Sequence, residues 1–550
     1  MSKILKRILA GTLAAAAAVS MTACSGGGNE TAEGGSQKHF SVFINGSTEE
    51  PSDDNKIMKK IEEELGYTFD FEYLVGNEAE KVGVMIAGGE YPDIVSCGDN
   101  TFAQTGALVP LDDYISEEKT PNLWNHIKDC YNKLCYEGDG HLYVIPAYGL
   151  FNGPETDGVY QGPAFWIQKD VLADAGYPEV KTLDQYFELI ENYKEKNPTI
   201  NGLSTIGFEI LATTGFEWVL TTAPNYLDGN PNDGDVKVNK ETYEAEIYAN
   251  SDFAKRYFTK LNEEYAKGVI DPEAFTQNKD QYISKISSGR VLGMFDQHWV
   301  FQPAEESLAT QKLYERQYVP LPLVFDEGTE PWYRTEPYEQ VGQGYGISVS
   351  CEDPEAVVQM FETFLSEEWQ KIFQWGFEGE DYMVDENGRF YRTEQQRAEQ
   401  GDPVWKAKNK MNAFFYNLPK IQGSYSDGNG ASAGAQQEEF EASLPDYDKE
   451  FLARSGKKNW MEFLNDPPEN PVYFPAWNID KVDGSDADYA NQKLTDLAVK
   501  YLPKLVMADS ASFDSTWNDY CNEIDGINIQ AYEDRMNEVI KWRVKNWAQD

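Results

Sequence analysis

Apolar residues along this chain fall into two recurring patterns, and their alternation predicts an α/β fold. Phe40-Ser41-Val42-Phe43-Ile44 is a short apolar strand. Ile57, Met58, Ile61 and Leu65 then recur at helical spacing, with Gly66 as the stop. Phe69, Phe71 and Tyr73 alternate with Asp70 and Glu72, the period of a strand. A helical stretch over 78–87 and a strand over 93–96 follow. Strand, helix, strand, helix, strand implies a parallel sheet with crossover helices. The pattern returns with strands over 165–167, 291–295 and 341–349. Helices are expected over 171–176, 183–196, 253–267, 354–373 and 517–547. Residues 421–436, rich in Gly, Ser and Ala, read as a loop. The pattern gives two α/β lobes and no internal repeat.

The first residues follow neither pattern. Lys3, Lys6 and Arg7 precede an apolar run from Ile8 to Val19, too short to span a bilayer. Residues 1–23 read as a secretory signal. Met21-Thr22-Ala23-Cys24 resembles a bacterial lipobox, which implies lipidation of Cys24, and 24–37 form a flexible tether. The protein is expected at the cell membrane, lipid-anchored and facing outward. No later run of 18 apolar residues occurs, so the anchor is the expected membrane contact.

Charge narrows the partners. Asp and Glu number 93 against 47 Lys and Arg, a net charge of −46. A nucleic acid needs a basic face, and an anionic membrane surface needs the same. Self-repulsion of this size favours a soluble monomer. Trp, Tyr and Phe are numerous at 13, 33 and 28, enough to leave rings for ligand contact. The four histidines lie far apart, and no metal site or cofactor is expected. Cys130 and Cys135 stand in an oxidising compartment and either bridge or remain thiols.

A series of short motifs then resembles one family in order. Ala87-Gly88-Gly89-Glu90-Tyr91-Pro92-Asp93-Ile94 and Gly106-Ala107-Leu108-Val109-Pro110-Leu111-Asp112 come first. Asp139-Gly140-His141-Leu142-Tyr143-Val144-Ile145-Pro146, Phe165-Trp166-Ile167-Gln168-Lys169-Asp170 and Gly268-Val269-Ile270-Asp271-Pro272-Glu273 follow. Gly289-Arg290-Val291 and Gly376-Phe377-Glu378-Gly379-Glu380-Asp381-Tyr382 close the series. Together they resemble the extracellular solute-binding proteins of family 1, in the larger subgroup associated with oligosaccharides. These are lipoprotein receptors of sugar-importing ABC transporters. The resemblance implies a two-lobe, type II periplasmic-binding-protein-like fold, each lobe a mainly parallel sheet flanked by helices, with hinge crossovers and a helical C-terminal part. Residues 38–145 with 345–400 would form the N-terminal lobe, and 146–344 with 401–550 the C-terminal lobe. It also implies an oligosaccharide ligand and ABC permease subunits as partners. Many large members carry a Ca²⁺ loop after the helix that here ends at Lys196, but Asn197-Pro198-Thr199-Ile200-Asn201-Gly202-Leu203-Ser204 lacks the carboxylates.

Sugars present apolar faces and many hydroxyls, so their sites pair aromatic platforms with polar side chains. Candidates follow the strand ends, where open α/β sheets bind ligands. Asp99 and Asn100 follow the strand over 93–96, and Asp296 and Trp299 follow the strand over 291–295. Tyr345 lies at the return between lobes, and Trp375 and Glu378 at the turn that resembles a family signature. Tyr148, Tyr226 and Trp477 complete the candidate ligand contacts. No G-x-S-x-G elbow or P-loop is present, and Gly342-Gln343-Gly344-Tyr345-Gly346 lies inside a strand-like run. The chain is read as a binding protein and not an enzyme. A surface lipoprotein for glycan adhesion or sensing, or a glycan-active enzyme, are the alternatives.

Overall fold

The computed structural model describes residues 37–46, 50–148, 150–153, 157–213, 215–411, 414 and 417–548. The expected signal segment, Cys24 and nearly all of the expected tether lie outside the described residues. Two main sheets organise the chain, built from β1 (Lys38–Ile44), β2 (Tyr67–Tyr73), β3 (Ile94–Cys97), β4 (Val144–Pro146), β5 (Pro163–Gln168), β6 (Ile206–Glu209), β7 (Val291–Gln297), β8 (Tyr318–Leu321) and β9 (Gly344–Ile347). The first sheet has the order β2-β1-β3-β9-β4 and the second β8-β5-β7-β6. Each carries its own core. The first packs Val42, Ile57, Ile94 and Phe361, and the second Phe165, Tyr186, Phe208 and Phe295.

Local chemistry places the elements. The helix Lys56–Leu65 begins where the Asn55 side chain accepts from the N–H groups of Ile57 and Met58. It ends at Gly66, whose φ of 72° is the left-handed stop that glycine permits. Between these ends Ile57 and Ile61 face the core. The helix expected over 354–373 is two, Pro354–Phe364 and Glu367–Gln374, because Ser366 caps the second. The tail likewise divides, into Phe513–Asp525 and Ile529–Trp547. Asp486–Met507 is a 22-residue helix that the sequence reading did not place; its Leu494, Leu502 and Leu505 join the second core.

Two expectations need correction. The sheets are mixed and not mainly parallel. β1, β2 and β3 run parallel, but β9 runs antiparallel to both β3 and β4. In the second sheet only β7 and β6 pair in parallel. The connectivity causes this: a chain that arrives from the other lobe must run away from the edge it enters, against the strands that run toward it. The lobe boundary expected at residue 400 also lies too early. Met411, Phe414 and Leu418 pack in the first core. The Asn55 amide donates to Ala407 O at 2.8 Å and to Lys410 O at 2.7 Å, which holds this segment to the first lobe.

The chain passes between lobes over 147–162, 322–343 and the segment after Leu418. Two passages touch, since Phe151–Asn152 pairs in parallel with Gln422–Gly423. Away from the crossovers, Gln104 of the first lobe donates to Asp480 Oδ2 at 2.6 Å, and Arg535 of the last helix meets Glu137 at 3.1 Å. Cys130 and Cys135 are separate buried thiols. No helix among the described residues is long and apolar enough to cross a membrane.

Candidate functional site

Strand register defines a cleft. β1, β2 and β3 end at one edge of the first sheet, and Gly344 opposes both Cys97 and Pro146 there. That edge therefore gathers Asn45, Leu74, Gly98 to Asn100, Tyr148 and Gln343. In the second sheet β6 and β7 end together, and Pro163 opposes Gln297. The second edge thus gathers Gln161, Ile210 to Thr213 and Trp299. The crossovers 147–162 and 322–343 each run from one edge to the other, so the two edges face one another.

The first edge is polar. Asn45 donates to Glu78 Oε1 at 2.7 Å, and the buried Asn417 donates to Asn45 Oδ1 at 2.8 Å. The buried Ser96 hydroxyl bonds both asparagines. Asp99 precedes the short helix Thr101–Gln104, its Oδ1 accepting from the Thr101 N–H at 2.8 Å. Asn100 packs against Gly342 of a crossover: a Cβ there would stand 2.6 Å from Asn100 Oδ1, and φ is +79°. Only glycine fits that approach. Tyr148, half-buried, has the Lys420 ammonium 4.3 Å from its ring centre. Burial pushes Lys420 down to about 7.

The second edge is aromatic. Trp299 sits in the first turn of the helix His298–Thr310 and is 50% exposed. Its Nε1 donates to Gln297 Oε1 at 2.5 Å. Trp218 stacks on it at 6.3 Å and 29°, and Phe216 continues the row at 6.3 Å from Trp218. Trp299 therefore keeps about half its surface open while Trp218 supports the rest. His298 is held inward, Nδ1 2.9 Å from Gln161 Oε1 and Nε2 2.6 Å from Glu305 Oε2.

Asp99, Asn100 and Tyr148 thus lie at the first edge and Trp299 at the second. Trp477 is half-buried near the crossover residue Tyr338, which packs on Phe474 at 4.9 Å. Four other candidates are core residues, which corrects their expected exposure to ligand. Tyr345 is fully buried, stacks on Phe361 at 5.8 Å and donates to Phe414 O at 2.9 Å. Trp375 is fully buried and its Nε1 donates to Gly430 O at 2.9 Å. Tyr226 is buried, stacked on Tyr333 at 5.0 Å. Asp296 is buried, accepting from Tyr282 OH at 2.7 Å and from the Gln297 N–H at 2.8 Å. Burial pushes its carboxyl up to about 7. Its side chain alternates inward because it is still inside β7, which runs two residues past the expected end. Glu378 is exposed, on the turn that the buried Asp381 orders by accepting from the Phe377 N–H at 2.8 Å.

Sequence reasoning missed Asn45, Phe216 and Trp218, although each follows a strand end as the chosen residues do. Asn417 carries no local signal, because it reaches the site from a distant segment. Among the described residues no cluster of three His, Cys, Asp or Glu side chains is placed to hold a metal ion.

Comparison with known proteins fits this architecture. A fructooligosaccharide ABC transporter substrate-binding protein, FusA of Streptococcus pneumoniae, is 28% identical over 247 residues, which are 43% of this chain and 45% of FusA. The match thus spans under half of that relative. Among solved structures, an HMO-binding ABC-transporter-associated solute-binding protein from Bifidobacterium longum infantis superposes with a TM-score of 0.67 at 16% identity, over 93% of this chain and all of that one. FusA in complex with kestose gives 0.63 at 18%, over 92% of this chain and all of that one. These likenesses establish the two-lobe fold. The family profile of bacterial extracellular solute-binding proteins matches residues 45–371, more than half of the chain, and the protein belongs to that family.

Proposed function

We propose that the protein is a lipid-anchored extracellular receptor that captures a neutral oligosaccharide between its lobes and delivers it to the permease of an ABC transporter. The observation that carries this reading is the half-open Trp299 platform, backed by Trp218 and facing a polar edge across two crossovers. Flat rings take the apolar face of a sugar, and amides with a carboxylate take its hydroxyls in pairs. FusA, related in sequence, is named for fructooligosaccharides. A net charge of −46 opposes the approach of a polyanion. Lipidation at Cys24 supplies the anchor, and no enzymatic step is assigned. Calorimetric screening of neutral oligosaccharides, kestose included, against uronate oligomers tests the reading. Saturable one-to-one binding of a neutral member is expected. Binding confined to uronate oligomers, or turnover of the bound sugar, would overturn it.

A further inference from the structure

A second cavity lies in the C-terminal lobe, and Trp218, which supports Trp299 at the second strand edge, forms part of its wall. It measures about 150 Å³ and lies, partly open to solvent, between the helix Trp218–Thr221, the helix Asp252–Ala266 and the C-terminal helices. Its walls are mostly apolar, with Phe258, Leu494 and Ala498 among them. A cavity of this size in an apolar core accommodates one benzene-sized ring. Its polar features are unusual. The Asp235 carboxylate and the Tyr520 hydroxyl both line it, and among the described residues neither has a hydrogen-bond partner. Tyr248, the neighbouring ring, is by contrast satisfied, donating to Gly234 O at 2.9 Å.

We infer that this cavity is a binding site for a small aromatic amine, the ring against Phe258 and Trp218 and the ammonium on Asp235 and Tyr520. An ammonium brings donors to an acceptor that lacks one, and a charge-assisted bond of this kind is about twice as strong as a neutral one. The surrounding rings favour the same cation. Glu217, also on the wall, adds a second negative charge, while Lys481 acts against it from outside the wall. Neutral rings would fill the space but leave Asp235 unpaired, and anions would meet two carboxylates. Trp218 is shared with the Trp299 platform, but the charge-dependent part of the inference does not rest on the sugar reading, because Asp235 and Tyr520 belong to neither strand edge.

Titration of the full chain, without sugar, with benzylammonium, benzyl alcohol and toluene tests it by calorimetry. Benzylammonium is expected to bind saturably, at least about tenfold tighter than benzyl alcohol. Asp235→Asn should erase that difference while leaving the alcohol's affinity within about twofold. Ala498→Phe should fill the cavity and abolish binding of all three probes. If Ala498→Phe fails to fold, Asp235→Asn carries the test alone, with its melting curve as the control on folding. Equal affinity for benzylammonium and benzyl alcohol, or no saturation by benzylammonium, would overturn the inference.

Discussion

Replacing Trp299 with Ala separates a ligand platform from a structural ring. The residue is 50% exposed, with one side covered by Trp218 and the rest facing the cleft. A buried aromatic covers about 150–250 Å², so a half-covered one contributes on the order of 100 Å². At about 25 cal/mol per Å² the substitution should cost about 2.5 kcal/mol of stability or less. In a lobe of this size that lowers the melting temperature by under about 8 °C. A sugar stacked on the open side should contribute about 1–3 kcal/mol, by analogy with stacking of other flat ligands. Affinity should then fall roughly 5- to 150-fold. Trp299→Phe keeps a flat ring and loses only the bond to Gln297, so it should retain most of the affinity. Calorimetry on the binding oligosaccharide, paired with a thermal melt of the ligand-free variant, reads both quantities. Affinity within twofold of the native protein, with a melt lowered by far more than 8 °C, would refute the reasoning, because the ring would then be core.

Three further outcomes follow from the same structure. Trp375→Ala should cost about 3–5 kcal/mol by emptying a fully buried site; titration well below the melt should show unchanged affinity, and a tenfold loss would contradict its place in the core. Burial raises Asp296 to about 7, Asp233 to about 7 and Glu209 to about 8. The folded state therefore holds these protons more tightly than the unfolded chain, whose carboxyls titrate near 4. Their stabilising effect is complete below about pH 4 and is lost as pH rises toward 8. Denaturant unfolding should show less stability at pH 8 than at pH 5, with a shallower fall in Asp296→Asn; an unchanged fall would contradict the Asp296 assignment. Cys24→Ala should release the protein into the medium, and unchanged membrane retention would contradict the anchor.

Local signals made much of the fold legible. Strands β1, β2 and β3 and the helices between them follow from apolar period, the Gly66 stop and short turns. Strand direction was less legible, because periodicity is blind to where a chain enters a sheet, and β5 and β9 enter from the other lobe. The strand-end rule placed Asn100 and Trp299 at the two edges, and applied to β1 and β6 it would have reached Asn45 and Trp218. It failed at Asp296 and Tyr345, since one residue of strand end decides whether a side chain faces a core or a cleft. Tyr226 and Trp375 have the composition of a sugar platform, yet their polar atoms or rings are satisfied inside the protein. Asn417 and the segment around Leu418 belong to the first lobe by long-range packing alone, which no local pattern reports.

Hydrogen exchange with and without the bound oligosaccharide tests interlobe capture most directly. The account predicts simultaneous protection of amides at both edges, over 98–105 in the first lobe and over 210–222 and 297–303 in the second. Protection confined to one lobe would contradict it.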